Sequence, residues 1–377
     1  MKTRKKIGSI HDFFKQCPKT RLQHTTAIKK ITGITDLSYF EGSVIFGTAR
    51  LGREIHSILR RNEIEIMGFS DNDKRKWGRR IDGLKVTPPS NLQSEQKIII
   101  ASKSFHEILS QLRVAGHKNV FPHYVLTVLY PRTFPNPTFQ IDAAGLIRER
   151  KNIMNAYCKL EDEHSKSVFL SLLKFRVSLT PFDLPKPTGE PYFPDGFWSL
   201  SDTETYVDAG AYDGDTLKQF ITHKGAKFKR YYAIEPDQLN YKKLLKNIPR
   251  RYSRKITPLQ LGLGAKKGSV PFASCGKIDS SVRNEGKDTV EITTLDELCR
   301  GEEVSTIKMD VEGYESEAIS GAKNTIKKHK PKLALSAYHY PRHLWQLQLQ
   351  IMSIRKDYRF YLRHHGLGID GTILYAI

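Results

Sequence analysis

A chain of 377 residues with 39% hydrophobic and 27% charged residues is long enough for two domains and has the composition of a globular protein, not a disordered one. Its formal charge of +21 attracts anionic partners, but no RNA-binding signature or regular aromatic interleaving accompanies that charge, which disfavours nucleic acid. No apolar run approaches the ~20 residues of a membrane span, no apolar stretch follows the basic N-terminus, and Cys17, Cys158, Cys275 and Cys299 form neither a CxxC nor a disulfide framework, so a reducing cytoplasm is the expected setting.

In chain order, residues 1–40 read as a basic, weakly patterned arm. Residues 41–125 read as a small Rossmann-like unit. Ser43-Val-Ile-Phe is a short apolar strand ending at Gly47, and a helical stretch runs to Arg61. Glu65-Ile-Met-Gly-Phe and Lys97-Ile-Ile-Ile-Ala-Ser102 are further strands, residues 104–116 a helix, and Asn119-Val-Phe-Pro122 a short last strand. Strands alternating with helices imply a parallel, doubly wound sheet. Phe46-Gly47-Thr-Ala-Arg-Leu-Gly52 keeps the outer glycines of GxGxxG but has Ala49 in the middle, and Asp71 stands where a ribose-binding acid would sit. A nucleotide or nucleotide sugar fits this unit, and so does a purely structural or partner-binding role. Residues 126–200, with helical periodicity over 141–176 and prolines on either side, read as a helical connector.

Residues 201–377 read as a second α/β unit of seven strands, at 205–209, 231–235, 256–261, 304–310, 332–338, 357–362 and 372–377. Helices are expected at 214–223, 237–248, 314–329 and 341–353. The connection over 363–371 is too short for a parallel crossover, so the last strand should run antiparallel to its neighbour.

Three segments of this unit carry chemistry. Thr205-Tyr-Val-Asp208-Ala-Gly210-Ala-Tyr-Asp-Gly214 turns from strand to helix through glycines that let a ligand approach the backbone. Tyr231-Tyr-Ala-Ile-Glu235 places a carboxylate at the end of the next strand, where it can accept hydrogen bonds from ribose hydroxyls. Asp208 suits a cofactor with a cationic amino-acid portion. Ile307-Lys-Met-Asp310-Val-Glu312-Gly-Tyr-Glu315 clusters three carboxylates after a strand, able to orient a hydroxyl, take its proton or hold a divalent cation. The cluster equally reads as acidic decoration of a helix start. Nothing in the sequence requires a metal. His339 is a candidate base, and with His343 it has the i, i+4 spacing of a ligand pair. The plainer reading of both, and of His364 and His365, is hydrogen-bonded wall.

The order VDAGAYDGDT, AIEPD, Gln260-Leu-Gly-Leu-Gly264, TTLDEL and IKMDVEGYE resembles the FkbM-type methyltransferases over residues 203–377. The segments from Lys332 to Trp345 and from Tyr361 to His365 are also similar to that family. The resemblance implies a class I fold, S-adenosylmethionine as methyl donor and methylation of a hydroxyl oxygen on a carbohydrate, glycan precursor or related small molecule. By position it implies Asp208, Gly210, Gly214, Glu235 and Ser280 as cofactor-binding residues. Asp310 and His339, supported by Glu312 and Glu315, are the expected catalytic group. The first unit resembles small Rossmann-like domains attached to sugar-modifying enzymes. Two alternatives remain open from sequence: an RNA ribose methyltransferase, and a nucleotide-binding regulatory protein with a degenerate methyltransferase domain.

Overall fold

The computed structural model describes residues 9–102, 104–136, 142–273, 281–282 and 288–377. The chain forms two compact units. One takes in residues up to Lys151 together with Leu170–Lys186 and Gly366–Ile369, and the other Asn152–Phe169, Pro187–His365 and Asp370–Ile377. The residues expected as a connector are therefore shared between the units. Phe175 and Leu179 are buried in the core of the first, Tyr192 and Phe193 in that of the second. Among the described residues, no helix is long and apolar enough to cross a membrane.

The first unit holds a six-stranded sheet of β1 (Ser43–Phe46), β2 (Ile66–Ser70), β3 (Arg80–Ile81), β4 (Leu84–Thr87), β5 (Ile98–Ile100) and β6 (Val120–Pro122), in the order β3-β4-β2-β1-β5-β6. All neighbours pair in parallel except β3 and β4. β1 is central and buried along its whole length, which is why it reads as an unbroken apolar run. The helix Arg50–Arg61 packs through Gly52, Ile55, His56 and Leu59, the spacing of one helix face. β3 and β4 were not expected. They form a hairpin whose two-residue turn is Asp82-Gly83, both in the left-handed region (φ 49° and 84°), as a tight turn between twisted strands requires.

Within residues 9–40 the structure has helices rather than an unpatterned arm. Ile10–Gln16 is capped by the Ser9 hydroxyl on the Asp12 N–H, and Arg21–Thr32 by Thr20 on the Gln23 N–H. Ile10, Phe13, Phe14 and Ile28 are buried beneath the basic surface.

The second unit is built on β7 (Thr205–Ala209), β8 (Arg230–Ile234), β9 (Ile256–Leu259), β14 (Thr306–Met309), β15 (Lys332–Ser336), β16 (Phe360–His364) and β17 (Thr372–Ala376). Between β9 and β14 lies a separate four-stranded sheet of β10 (Gly262–Leu263), β11 (Gly268–Ala273), β12 (Ser281–Val282) and β13 (Asp288–Thr293). The main sheet runs β16-β17-β15-β14-β7-β8-β9. β17 is antiparallel to both its neighbours and every other pairing is parallel, so the reversed last strand is confirmed. β7 and β14, the central pair, are fully buried. Their carboxyl ends lie side by side, with Ala209 paired to Met309, and the strand order departs from that point in both directions, which is where open α/β sheets bind ligands.

Candidate active site

The turn after β7 is shaped by a close approach of two backbones. Gly210 has φ +78°, and a Cβ there would lie 1.9 Å from the carbonyl oxygen of Asp310. Only glycine lets the β7 and β14 turns come this close. The N–H groups of Gly210 and Ala211 both donate to the Ile234 carbonyl at 2.9 Å, tying the turn to the end of β8. Tyr212 then takes φ +48°, a conformation that costs a side-chain-bearing residue roughly 1–3 kcal/mol and that clusters at functional sites. Gly214, at φ +91°, caps the helix Asp215–Lys224.

Asp208 lies beneath this turn, fully buried. One carboxylate oxygen is 2.8 Å from the Lys308 ammonium of β14, and the other accepts the Tyr231 hydroxyl at 2.6 Å. Lys308 also donates to the Gly210 carbonyl. Burial raises the Asp208 carboxyl and Lys308 opposes that rise. For Lys308 burial pulls downward, but Asp208 and then Asp310 outweigh it and hold the ammonium above its ordinary value. The two groups form a charged pair.

Glu235, buried at the end of β8, accepts the Tyr212 N–H and the Asp237 N–H, each at 2.9 Å. Burial pushes its carboxyl up to about 7, against the pull of those two hydrogen bonds.

The β14 turn gathers the acidic cluster. Asp310 accepts the Tyr192 hydroxyl at 2.8 Å and the Tyr338 hydroxyl at 3.0 Å, one on each oxygen. Burial would raise it, yet His339 and Lys308 hold it below the ordinary carboxylate value. Glu315 is completely buried. It accepts the Val311 N–H at 3.0 Å and sits 2.8 Å from Nδ1 of His339 and 3.2 Å from Nδ1 of His343. Its carboxyl is held well below the ordinary range despite burial, chiefly by His339. Nε2 of His339 points between Asp310, at 3.6 Å, and Glu312, at 3.5 Å. Burial lowers His339, but Glu315, Glu312 and Asp310 together raise it well above the ordinary histidine value. That direction favours its protonated form, in which it balances the surrounding carboxylates.

These turns enclose a cavity of about 280 Å³. Gly210, Glu235, Asp310 and Glu312 line it, as do Tyr212, Asp215, Thr216, Lys308 and Tyr192. Leu263, Phe272, Val290 and Ile292 of the four-stranded sheet form an apolar wall, and Phe272, Val290 and Ile292 are a small core of their own. Of the residues singled out from sequence, Asp208, Gly214, Glu315 and His339 stand behind the lining, and Ser280 lies outside the described residues. Asp215 and Thr216 belong to the glycine-rich motif and could have been named from it. Tyr192 had no local signal, because a proline-rich stretch delivers it.

Sheet order, reversed β17 and a cavity at the β7/β14 edge define a class I methyltransferase domain. Comparison with known proteins agrees. Residues 208–366 match the Methyltransferase FkbM domain, and residues 41–119 match the C2185-like N-terminal domain. The crystal structure of Methyltransferase FkbM from Methylobacillus flagellatus KT superimposes with a TM-score of 0.75 at 25% identity, covering 95% of this chain and 98% of that one. Hexuronic acid methyltransferase AglP of Haloferax volcanii is 32% identical over 104 residues, which is 26% of this chain and 42% of that protein, so the match spans less than half of the relative. Over residues 208–366 the chain is therefore similar to the FkbM methyltransferase family.

Proposed function

We propose that the chain transfers a methyl group from S-adenosylmethionine to a hydroxyl oxygen of a carbohydrate or glycan precursor. The observation that carries this reading is that Gly210, Glu235 and Asp310, from three different strand ends, line one cavity. The residues present fit the cofactor. Glu235 is placed to accept ribose hydroxyls, and the Gly210 turn leaves backbone open to close approach. Asp215, at the cavity wall, is the acid available for an ammonium group, since Asp208 is already paired with Lys308. The apolar wall from Leu263 to Ile292 suits an adenine face. The bound cofactor supplies a methyl group made electrophilic by its sulfonium sulfur.

The chain's own part is to align the acceptor and receive its proton. Asp310 is oriented by two tyrosine hydroxyls and kept ionised, which makes it the acceptor of the hydroxyl proton. It is a weak base, so the proton moves as the oxygen bonds to carbon and becomes acidic. Glu312, on the same wall, orients the acceptor. His339 balances the carboxylates, and Glu315 anchors the turn through the Val311 N–H.

The carbohydrate part of the reading draws support from AglP, whose name specifies hexuronic acid. For the first unit we favour a structural or partner-binding role, because Asp71 is taken up by Thr48 and Lys76. Free Cys17, Cys158 and Cys299 accord with a cytoplasmic enzyme.

The test is incubation of the full chain with methyl-labelled S-adenosylmethionine and a panel of neutral glycan precursors, hexuronates and RNA. Label in a glycan hydroxyl supports the reading. Label in RNA alone, or no cofactor binding, overturns it.

A further inference from the structure

The His339 environment is poorly explained by hydrogen bonding. The side chain is 10% exposed, and its Nε2 makes no hydrogen bond. Charge-assisted N–H to carboxylate bonds run at about 2.7–2.9 Å. Here Asp310 and Glu312 oxygens stand off at 3.6 and 3.5 Å, on the side facing the cavity they both line. Two ligands on one ion, each bonded at about 2.1 Å, lie roughly 3.0–3.5 Å apart in octahedral or tetrahedral geometry. Each of the two carboxylate oxygens is therefore spaced from Nε2 about as two ligands sharing an ion are.

The other ring nitrogen supports the same conclusion. Nδ1 meets the buried Glu315 carboxylate at 2.8 Å, and Glu315 is itself fixed by the Val311 N–H. A carboxylate on the far nitrogen of a histidine sets its tautomer and aims the near nitrogen at a metal.

We propose that Nε2 of His339 and the carboxylates of Asp310 and Glu312 bind one divalent cation at the acceptor side of the cavity, with Glu315 orienting the imidazole. One imidazole with two carboxylates suits Mn²⁺ or Zn²⁺ better than an all-oxygen ion such as Ca²⁺. Binding displaces the proton from Nε2 to solvent and leaves the Nδ1–H donating to Glu315. Such an ion polarises a hydroxyl oxygen brought to it and so assists the proton transfer assigned to Asp310. The site stands or falls on metal binding alone, whichever acceptor the chain methylates.

The test is titration of the chelator-treated full chain with Mn²⁺, without cofactor or acceptor, followed by calorimetry and electron paramagnetic resonance. One Mn²⁺ per chain with nitrogen hyperfine coupling from an imidazole is expected. His339→Ala should remove that coupling and weaken binding about 100-fold, and Glu315→Gln should weaken it about 10- to 100-fold. Asp71→Ala, in the first unit, should change neither. Each variant is first checked for wild-type circular dichroism, and His339→Asn replaces His339→Ala if the latter misfolds. No stoichiometric binding, Mn²⁺ without nitrogen coupling, or an affinity unchanged by the His339 substitution overturns the assignment.

Discussion

The main sheets of the two units end in the same device and use it differently. In each, the first strand runs into a glycine turn, and an acid at or just past the end of the second strand accepts an N–H from that turn. Thr48 donates to Asp71 at 3.1 Å in the first unit, and Tyr212 to Glu235 at 2.9 Å in the second. Asp71 also takes the Thr48 hydroxyl and the Lys76 ammonium, and those bonds hold its carboxyl below the ordinary value although burial would raise it. Among the described residues, Glu235 takes only backbone N–H groups in a buried site, and burial pushes its carboxyl up to about 7. Topology puts an acid at the edge in both units, and the neighbouring side chains decide whether it has capacity left for a ligand.

The sharpest contrast lies in the charged partners. Lys308→Met strands a fully buried Asp208 carboxylate and should cost about 3–5 kcal/mol in denaturant unfolding. Lys76→Met removes a partner that is 35% exposed, so solvent screening keeps its cost to roughly 0–1 kcal/mol. Equal losses would break the comparison.

Gly210→Ala comes next. Backbone clash with Asp310 should cost about 3 kcal/mol or more and abolish cofactor binding. At Gly47 the added Cβ would meet Ala101 O at 2.5 Å. That substitution should loosen the first unit while calorimetry still finds cofactor bound to the second.

Glu235→Gln should weaken S-adenosylmethionine binding by about 1.5–3 kcal/mol, whereas Asp71→Asn should leave it unchanged. Saturable binding of a nucleotide sugar that Asp71→Asn abolishes would show that the first unit keeps an open site after all.

The raised carboxyl of Glu235 makes a smaller, pH-resolved effect. Its charged form accepts the ribose hydroxyls, so affinity should fall as pH drops through about 7, by up to roughly tenfold per unit below it. The Glu235→Gln profile should be flat over the same range. For stability the sign reverses: the folded chain holds this proton more tightly, so the contribution is present below the ordinary carboxyl value and lost as pH rises through about 7.

Tyr192→Phe removes one of the two hydroxyls on Asp310 and should cost about 1 kcal/mol of transition-state stabilisation, read as lower kcat with little change in cofactor affinity. A change in cofactor affinity alone would place Tyr192 with the cofactor instead of with Asp310.

The parallel strands β1, β2, β5, β7, β8, β14 and β15 were legible because each is a short apolar run buried along most of its length. The motif residues were legible because their types declare a turn or a charge. The β3–β4 hairpin was missed although Asp82-Gly83 signals it, since strands of two and four residues carry little hydrophobic pattern. The four-stranded sheet was missed although Val270 alternates with Phe272 and Val290 with Ile292. Their period-2 alternation lacks the continuous apolar run by which the strands of the larger sheet were read.

Sequence alone determined the chain order of the main-sheet strands in the second unit, the reversed last strand and the three segments that meet at its active edge. Each follows from local pattern or connection length. Only the tertiary structure decided which of those side chains face the cavity. Asp208 turns inward because Lys308, a hundred residues on, lies beside it on β14, and Tyr192 reaches Asp310 from outside every motif. His339 is held well above the ordinary histidine value because three carboxylates from the β14 turn surround it. Burial and charge at a point in space depend on all the elements packed there, and no single stretch of sequence contains them.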